Sequence, residues 1–268
     1  MTEGVARLAA LVLEARRLVV LTGAGVSTES GIPDFRGPGG FWERFDRTAL
    51  TWRSFMDGPS GRQRYWELGR VVYPVIRDAA PGEAHRALVS LQHLHRLDCC
   101  ITQNVDGLHQ RAGLPPECVI ELHGNATRTR CLSCRARYAR DDVHAWLEAG
   151  AEVPLCPACG GIVKPESVLF GEAMPASALA EARSRARAAD LFVVVGSSLS
   201  VYPAAYLPAH VLEAGGRLVI VNLTATRWDT RADLVVRARA GETLSAVAAE
   251  VGTRMGVFPV PATAGGHS

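Results

Sequence analysis

The chain is nearly without lysine. Lys164 is the sole one, so 28 of the 29 basic residues are arginine. Charge of one sign is also missing, because the formal net charge is +2. That excludes the strong attraction to polyanions and anionic lipid on which basic domains depend, so neither direct nucleic-acid binding nor membrane binding is expected. No apolar run approaches the ~18 residues of a membrane-spanning helix. Met1-Thr2-Glu3-Gly4-Val5 lacks the basic-then-apolar pattern of a secretory signal. A soluble cytoplasmic protein is the expectation, and no internal repeat is visible. What the chain does have is 48% hydrophobic residues over 268 positions. That is enough for a large domain with a smaller one beside it, and it excludes wholesale disorder.

The most informative stretch begins at Leu18-Val19-Val20-Leu21, an apolar run without alternation, which predicts a strand buried on both faces of a parallel sheet. Gly23-Ala24-Gly25 follows, where glycines allow a tight turn and close approach to a diphosphate. A helix beginning near Val26 would aim its N-terminal amides at that phosphate. Pro33 fixes its own φ and makes Ile32 extended, so the helix must break there. An acidic, an aromatic and a basic residue follow as Asp34-Phe35-Arg36.

Further along, apolar residues at helical spacing predict helices over 5–16, 83–97 and 176–189, with a closing helix over 244–251. The segment 41–73 is rich in aromatics and arginine. It predicts a small helical module with its own core, the alternative being a platform for single-stranded nucleic acid. Further apolar runs predict strands at 99–101, 118–120, 191–195 and 217–221. With the first strand, five runs thus end in glycine or small polar residues: Thr22-Gly23, Gln103-Asn104, His123-Gly124, Gly196-Ser197 and Asn222. Open parallel sheets bind ligands outside the carboxyl ends of their strands. Five such ends on one rim make a dinucleotide site. An acidic ribose-binding residue ~20 positions after the glycine turn is missing, which argues against an ordinary dehydrogenase.

Cys131-x-x-Cys134 and Cys156-x-x-Cys159 lie 21 residues apart. Two such knuckles predict one tetrahedral zinc, with disulfides as the less fitting alternative in a reducing compartment. Four cysteine ligands leave no position for a water nucleophile, so the zinc is structural. Cys99, Cys100 and Cys118 fall in apolar strands and read as core. His109 reads as a solvated loop histidine.

The run Gly23-Ala24-Gly25-x-Ser27-x-x-Ser30-Gly31-Ile32-Pro33-Asp34-Phe35-Arg36 resembles the signature of the sirtuins, NAD-dependent protein lysine deacylases. Gln103-Asn104-Val105-Asp106, His123-Gly124 and the zinc knuckles extend the resemblance over roughly 18–251. Thr28-Glu29-Ser30 and 62–66 look like its class II, bacterial branch. The resemblance implies an α/β fold, with a Rossmann-like parallel sheet from 1–40, 83–126 and 166–256. A small domain is formed by a helical module, 41–82, and a zinc-binding module, 127–165; residues 257–268 are a flexible tail. It implies NAD on Gly23, Ala24, Gly25, Ser27, Ile32, Asp34, Phe35, Arg36, Gln103, Asn104, Asp106, Gly196, Ser197, Ser198, Asn222, Leu223, Thr224 and Ala240. His123 is the implied general base and Asn104 its catalytic companion. The acyl-lysine oxygen attacks the nicotinamide ribose, nicotinamide leaves, and the acyl group passes to ADP-ribose, so NAD is consumed. Val168, Leu169, Phe170 and Gly171 would pair with the substrate peptide. Mono-ADP-ribosyl transfer on the same site, or non-catalytic NAD sensing, are the alternatives. Succinyl-specific sirtuins carry a Tyr-x-x-Arg pair in the helical module. Here Leu68 stands three after Tyr65, and Arg70 comes two residues too late.

Overall fold

The computed structural model describes residues 2–34, 37 and 40–257, without the side chain of Trp42. The expected contacts at Phe35 and Arg36, and nearly all of the expected tail, lie outside the described residues.

Among the described residues, nine strands form two sheets. The larger is parallel throughout and runs in the order β3 (Val119–Glu121), β2 (Leu97–Thr102), β1 (Leu18–Thr22), β7 (Leu191–Val195), β8 (Arg217–Val221), β9 (Leu234–Val236). With the three strands of the small sheet set aside, this is the doubly wound Rossmann order. The apolar runs became strands because both faces of the sheet are covered, so alternation has no solvent side to serve. Leu18 and Val20 enter a core shared with helices Glu3–Glu14, Glu83–His93 and Ala240–Arg254. Val19 and Leu21 point into a second core under helices Ala176–Ala188 and Leu207–Glu213. The five expected strand ends share one rim, as five neighbours in a parallel sheet must. The sixth strand, β9, is a three-residue edge too short to stand out from its surroundings.

Between β3 and β7 lies an antiparallel sheet ordered β5 (Arg137–Ala139), β4 (Arg128–Cys131), β6 (Val163–Pro165). Before β2 come the helices Phe41–Arg44, Trp52–Met56 and Pro59–Asp78. These two insertions share one core: Phe55, Tyr65 and Trp66 from the helices meet Val143, Leu147, Val163 and two cysteines from the other. The aromatic residues therefore pack inward, as a satellite core does. Arg140 is buried between the rings of Trp66 and Tyr73, its guanidinium carbon 5.0 and 4.4 Å from their centroids. Among the described residues, no helix is long and apolar enough to cross a membrane.

Three local expectations are corrected. No α-helix follows the glycine turn; two single 3-10 turns, Ala24–Val26 and Thr28–Ser30, stand there. Gly31, at φ +82°, and Pro33 stop the chain before α-helical hydrogen bonding is established. The helix expected over 83–97 ends at His93, after which Leu97 already belongs to β2. Cys118 is half-buried in a turn that precedes β3, outside the strand.

Candidate active site

The site is built where β1 and β7 part company, the switch point of the sheet. The turns after these strands touch through backbone alone. The amide of Gly23 donates to Val195 O at 3.0 Å, and that of Gly25 to Gly196 O at 2.9 Å. A Cβ on Gly25 would stand 2.8 Å from Gly196 Cα, and Gly196 itself sits at φ +61°. Only glycine satisfies both conditions.

Around this contact the strand ends are joined by side chains. Gln103, after β2, donates its amide to Ser197 Oγ at 2.8 Å. Asn104 donates to Gly23 O at 3.1 Å and to Ser27 Oγ at 3.0 Å. Ser27 in turn donates to Asp106 at 2.8 Å, and the other Asp106 oxygen accepts from Leu108 N–H at 2.9 Å. Burial pushes the Asp106 carboxyl upward, against these two hydrogen bonds. Ile32 is held by its own amide to Ser27 O at 3.3 Å. Asp34 organises the next turn, accepting from Gly37 N–H at 2.6 Å.

His123 lies just past β3 and is half-buried. Its Nδ1 is 2.8 Å from Gln103 O. A carbonyl only accepts, so Nδ1 carries the proton and Nε2 keeps its lone pair. Burial lowers the imidazole pKa from its ordinary value, and the Gln103 bond opposes this in part. His123 is therefore a neutral base with a defined tautomer at neutral pH. Farther along the rim, Asn222 donates to Thr224 O and Oγ1 at 2.9 and 3.1 Å, and Leu223 is exposed. Ala240 opens the last helix. Of the substrate-segment residues, Leu169 is buried in the small-domain core, whereas Phe170 and Gly171 are exposed.

His109 departs from expectation: it is 1% exposed, 2.8 Å from Thr22 Oγ1 and beside His85, ring centroids 4.9 Å apart. Gly107, at φ +70°, starts a one-turn helix that folds His109 beneath the strand ends. Thr22 bonds to Thr102 Oγ1 at 2.9 Å, which accepts from Asn104 N–H at 3.1 Å. These two threonines were visible only as polar residues ending apolar runs.

The four Sγ atoms of Cys131, Cys134, Cys156 and Cys159 lie within 4.8 Å of one another. Two of their separations are 3.6 Å. That is far beyond a disulfide at about 2.05 Å and close to the edge of a tetrahedron around zinc, about 3.8 Å for 2.3 Å bonds. Ser133 and Cys134 amides donate to Cys131 Sγ at 3.4 Å each. The donor set fits a zinc that would cross-link the ribbon.

A Rossmann sheet with a neutral histidine at its switch-point rim, beside a tetrathiolate ribbon, defines a dinucleotide-dependent α/β protein with a structural metal. Comparison narrows the class. The sequence pattern described as "Sir2 family" matches residues 23–203. An NAD-dependent protein deacetylase of Caldivirga maquilingensis is 45% identical over 93% of this chain and 94% of its own. A solved Sir2 with p53 peptide and NAD+ is 39% identical, with TM-score 0.83 over 93% of this chain and 98% of its own. Another, holding deacetylated p53 peptide and 3'-O-acetyl ADP ribose, is 40% identical with TM-score 0.84 over 94% and 98%. The chain belongs to the Sir2 family.

Two outcomes test this geometry. Purified protein should hold about one zinc per chain, and Cys131→Ser should lower its thermal midpoint and its zinc content together; metal-free or disulfide-bonded native protein would contradict the tetrathiolate reading. Burial pushes His85 down to about 4 and His109 down to about 3. Both stay neutral when folded but titrate near 6.5 when unfolded, so their stabilisation is complete above that pH and shrinks below it. At pH 5 the loss should reach about 2 kcal/mol per histidine. Urea unfolding at pH 7.5 and 5.0 reads this, and a His109→Gln variant should show a shallower dependence than the parent.

Proposed function

We infer that this chain is an NAD-dependent protein lysine deacetylase that passes the acyl group to ADP-ribose and releases nicotinamide. The observation that carries the reading is the fixed tautomer of His123, a neutral Nε2 beside the residues that close the switch-point crevice. It stands with the family membership and with the acetyl ADP-ribose product named in a solved relative.

The geometry supports the following roles. NAD supplies the ribose carbon and hydroxyls that receive the acyl group. The Ala24 amide of the glycine turn and Ser197 are assigned to its diphosphate, where the glycines let the backbone approach without Cβ hindrance. Asn222, Leu223, Thr224 and Ala240 fall to the adenosine end, in place of the acidic residue of a dehydrogenase. Asn104 is held by Gly23 and Ser27, so its amide plane is set before substrate arrives. Ile32, Asp34 and Asp106 shape the nicotinamide end, with Asp106 held in place by Ser27. His123 takes the ribose hydroxyl proton on Nε2, while its Nδ1–H remains on Gln103 O as the imidazolium forms. Val168 to Gly171 are assigned to the substrate peptide. The Val168 carbonyl and both backbone groups of Gly171 carry no partner among the described residues, which leaves them for an added strand. Leu169 contributes to the core beneath. The substrates are acylated lysines of proteins. A cytoplasmic setting is supported by seven unpaired cysteines.

His123→Ala should lower kcat/KM for an acetylated peptide by about 10²–10⁴-fold with NAD affinity little changed. In the parent, the acid limb of kcat/KM should lie below pH 6.5, because burial keeps the imidazole neutral to lower pH. Mass spectrometry of acetyl-ADP-ribose measures both, and near-parental turnover in the variant would remove His123 from the reaction.

A second outcome concerns the acyl group. Tyr65 is buried in the core of the two insertions, and Arg70 donates to Ala151 O at 3.0 Å. Neither is disposed to receive an acyl carboxylate, whose burial without a partner costs several kcal/mol. On one peptide, acetyl and octanoyl lysine should outperform succinyl lysine in kcat/KM. A succinyl value equal to either would overturn this.

A further inference from the structure

The chain's single lysine is buried. Lys164 lies on β6, an edge strand of the small sheet, yet it is 1% exposed. Its ammonium donates to Pro165 O at 2.9 Å and to Ser167 O at 2.6 Å, and it meets Glu172 Oε2 at 3.0 Å. An ammonium has three N–H donors, and here three acceptors meet them. The same Glu172 oxygen accepts from Leu169 N–H at 2.9 Å, while Glu172 N–H donates to Leu169 O at 3.0 Å. Residues 165–172 thus wrap around one cation.

The outer side of this loop is anchored as well. Val168 N–H donates to the carbonyl of His123 at 2.8 Å. Phe170 N–H donates to Leu50 O at 3.0 Å, and Trp52 N–H to Phe170 O at 2.9 Å. Gly124, at φ +67°, has Glu166 O only 2.1 Å from where a Cβ would stand, so the loop lies directly on the turn that follows His123.

We propose that Lys164 is a positioning residue: its caged ammonium gives the loop the curvature that presents the Val168 carbonyl and Gly171 to the acyl peptide, at a set distance from His123. This rests on the reading of Val168 to Gly171 as the peptide-binding segment. Without the ammonium, the carbonyls of Pro165 and Ser167 lose their donor and the mostly buried Glu172 carboxylate keeps only Leu169 N–H, so the loop must open to hydrate them. A corollary concerns the enzyme's own chemistry. With its one ε-amine enclosed, the folded protein offers no lysine to acyl donors.

The test compares the parent with Lys164→Met and Glu172→Gln, with KM measured separately for an acetyl-lysine peptide and for NAD. Lys164→Met should raise the peptide KM about tenfold, and Glu172→Gln about threefold, with the NAD KM and kcat within about twofold. A general structural role would instead move both KM values or kcat. Should Lys164→Met not fold, Glu172→Gln carries the comparison. Acetyl-N-hydroxysuccinimide labelling of the parent, read by mass spectrometry, should modify Lys164 in urea but not in the native protein. Peptide KM values within twofold of the parent in every folded variant would overturn the positioning role. Equal labelling of native and unfolded protein would overturn the cage. A parent that turns over no acetyl peptide would overturn the deacetylase reading and the positioning with it, while the labelling still reports the cage.

Discussion

The backbone of the turn after β1 lies directly against that of the turn after β7, and the rest of the site depends on this contact. Hydrogen bonds from Gly23 and Gly25 hold the two turns at a distance where a single Cβ would collide. That closeness brings Ser197 within reach of Gln103, whose carbonyl in turn fixes His123. Four strand ends, far apart in sequence, become one rigid rim. A wider gap would take Ser197 out of reach of the Gln103 side chain, whose backbone is held to β1 by its own N–H on Thr22 O.

Burial then does different work for different histidines. At His123 it is partial, enough to favour the neutral ring while Nε2 stays available. At His85 and His109 it is nearly complete, and both rings are structural acceptors or donors. His109 reaches the rim through Thr22 and Thr102, whose hydroxyls end at the backbone of Asn104. The same physical cause, desolvation of the charged imidazole, leaves a neutral ring with an available nitrogen in one place and a strut in another. What separates them is how completely the ring is enclosed by protein.

The small domain shows how two insertions become one body. Neither the three helices nor the three-stranded ribbon could bury much apolar surface alone. Phe55, Tyr65 and Trp66 complete the ribbon's core, Arg140 stacks between aromatic rings from the longest helix, and four cysteines gather for a cross-linking metal. Arg128 then ties the ribbon to the large domain, bonding Glu121 at the end of β3 and Glu166 beside the peptide segment. The loop that begins at Glu166 is thereby tied to the end of β3.

Much of this was legible before any coordinates. Unalternating apolar runs ending in small polar residues fit strands of a covered parallel sheet, whose ends share a rim. Cysteine spacing has the same force, because two knuckles with 21 residues between them close on one metal. Local signals failed where a residue's role is set by what folds over it. His109 looked solvated because its neighbours are polar; Gly107 turns it under the sheet. The stretch after Gly25 looked like a helix start, but Gly31 and Pro33 left room only for 3-10 turns. Lys164 was a compositional oddity until the fold placed Glu172 and two carbonyls around it. The sequence determined which segments are strands, which cysteines gather and which histidine follows β3, since those depend on short-range pattern and covalent spacing. Only the tertiary structure decided protonation, tautomer and enclosure, because these depend on which distant backbone oxygen arrives within 3 Å and on how much water remains.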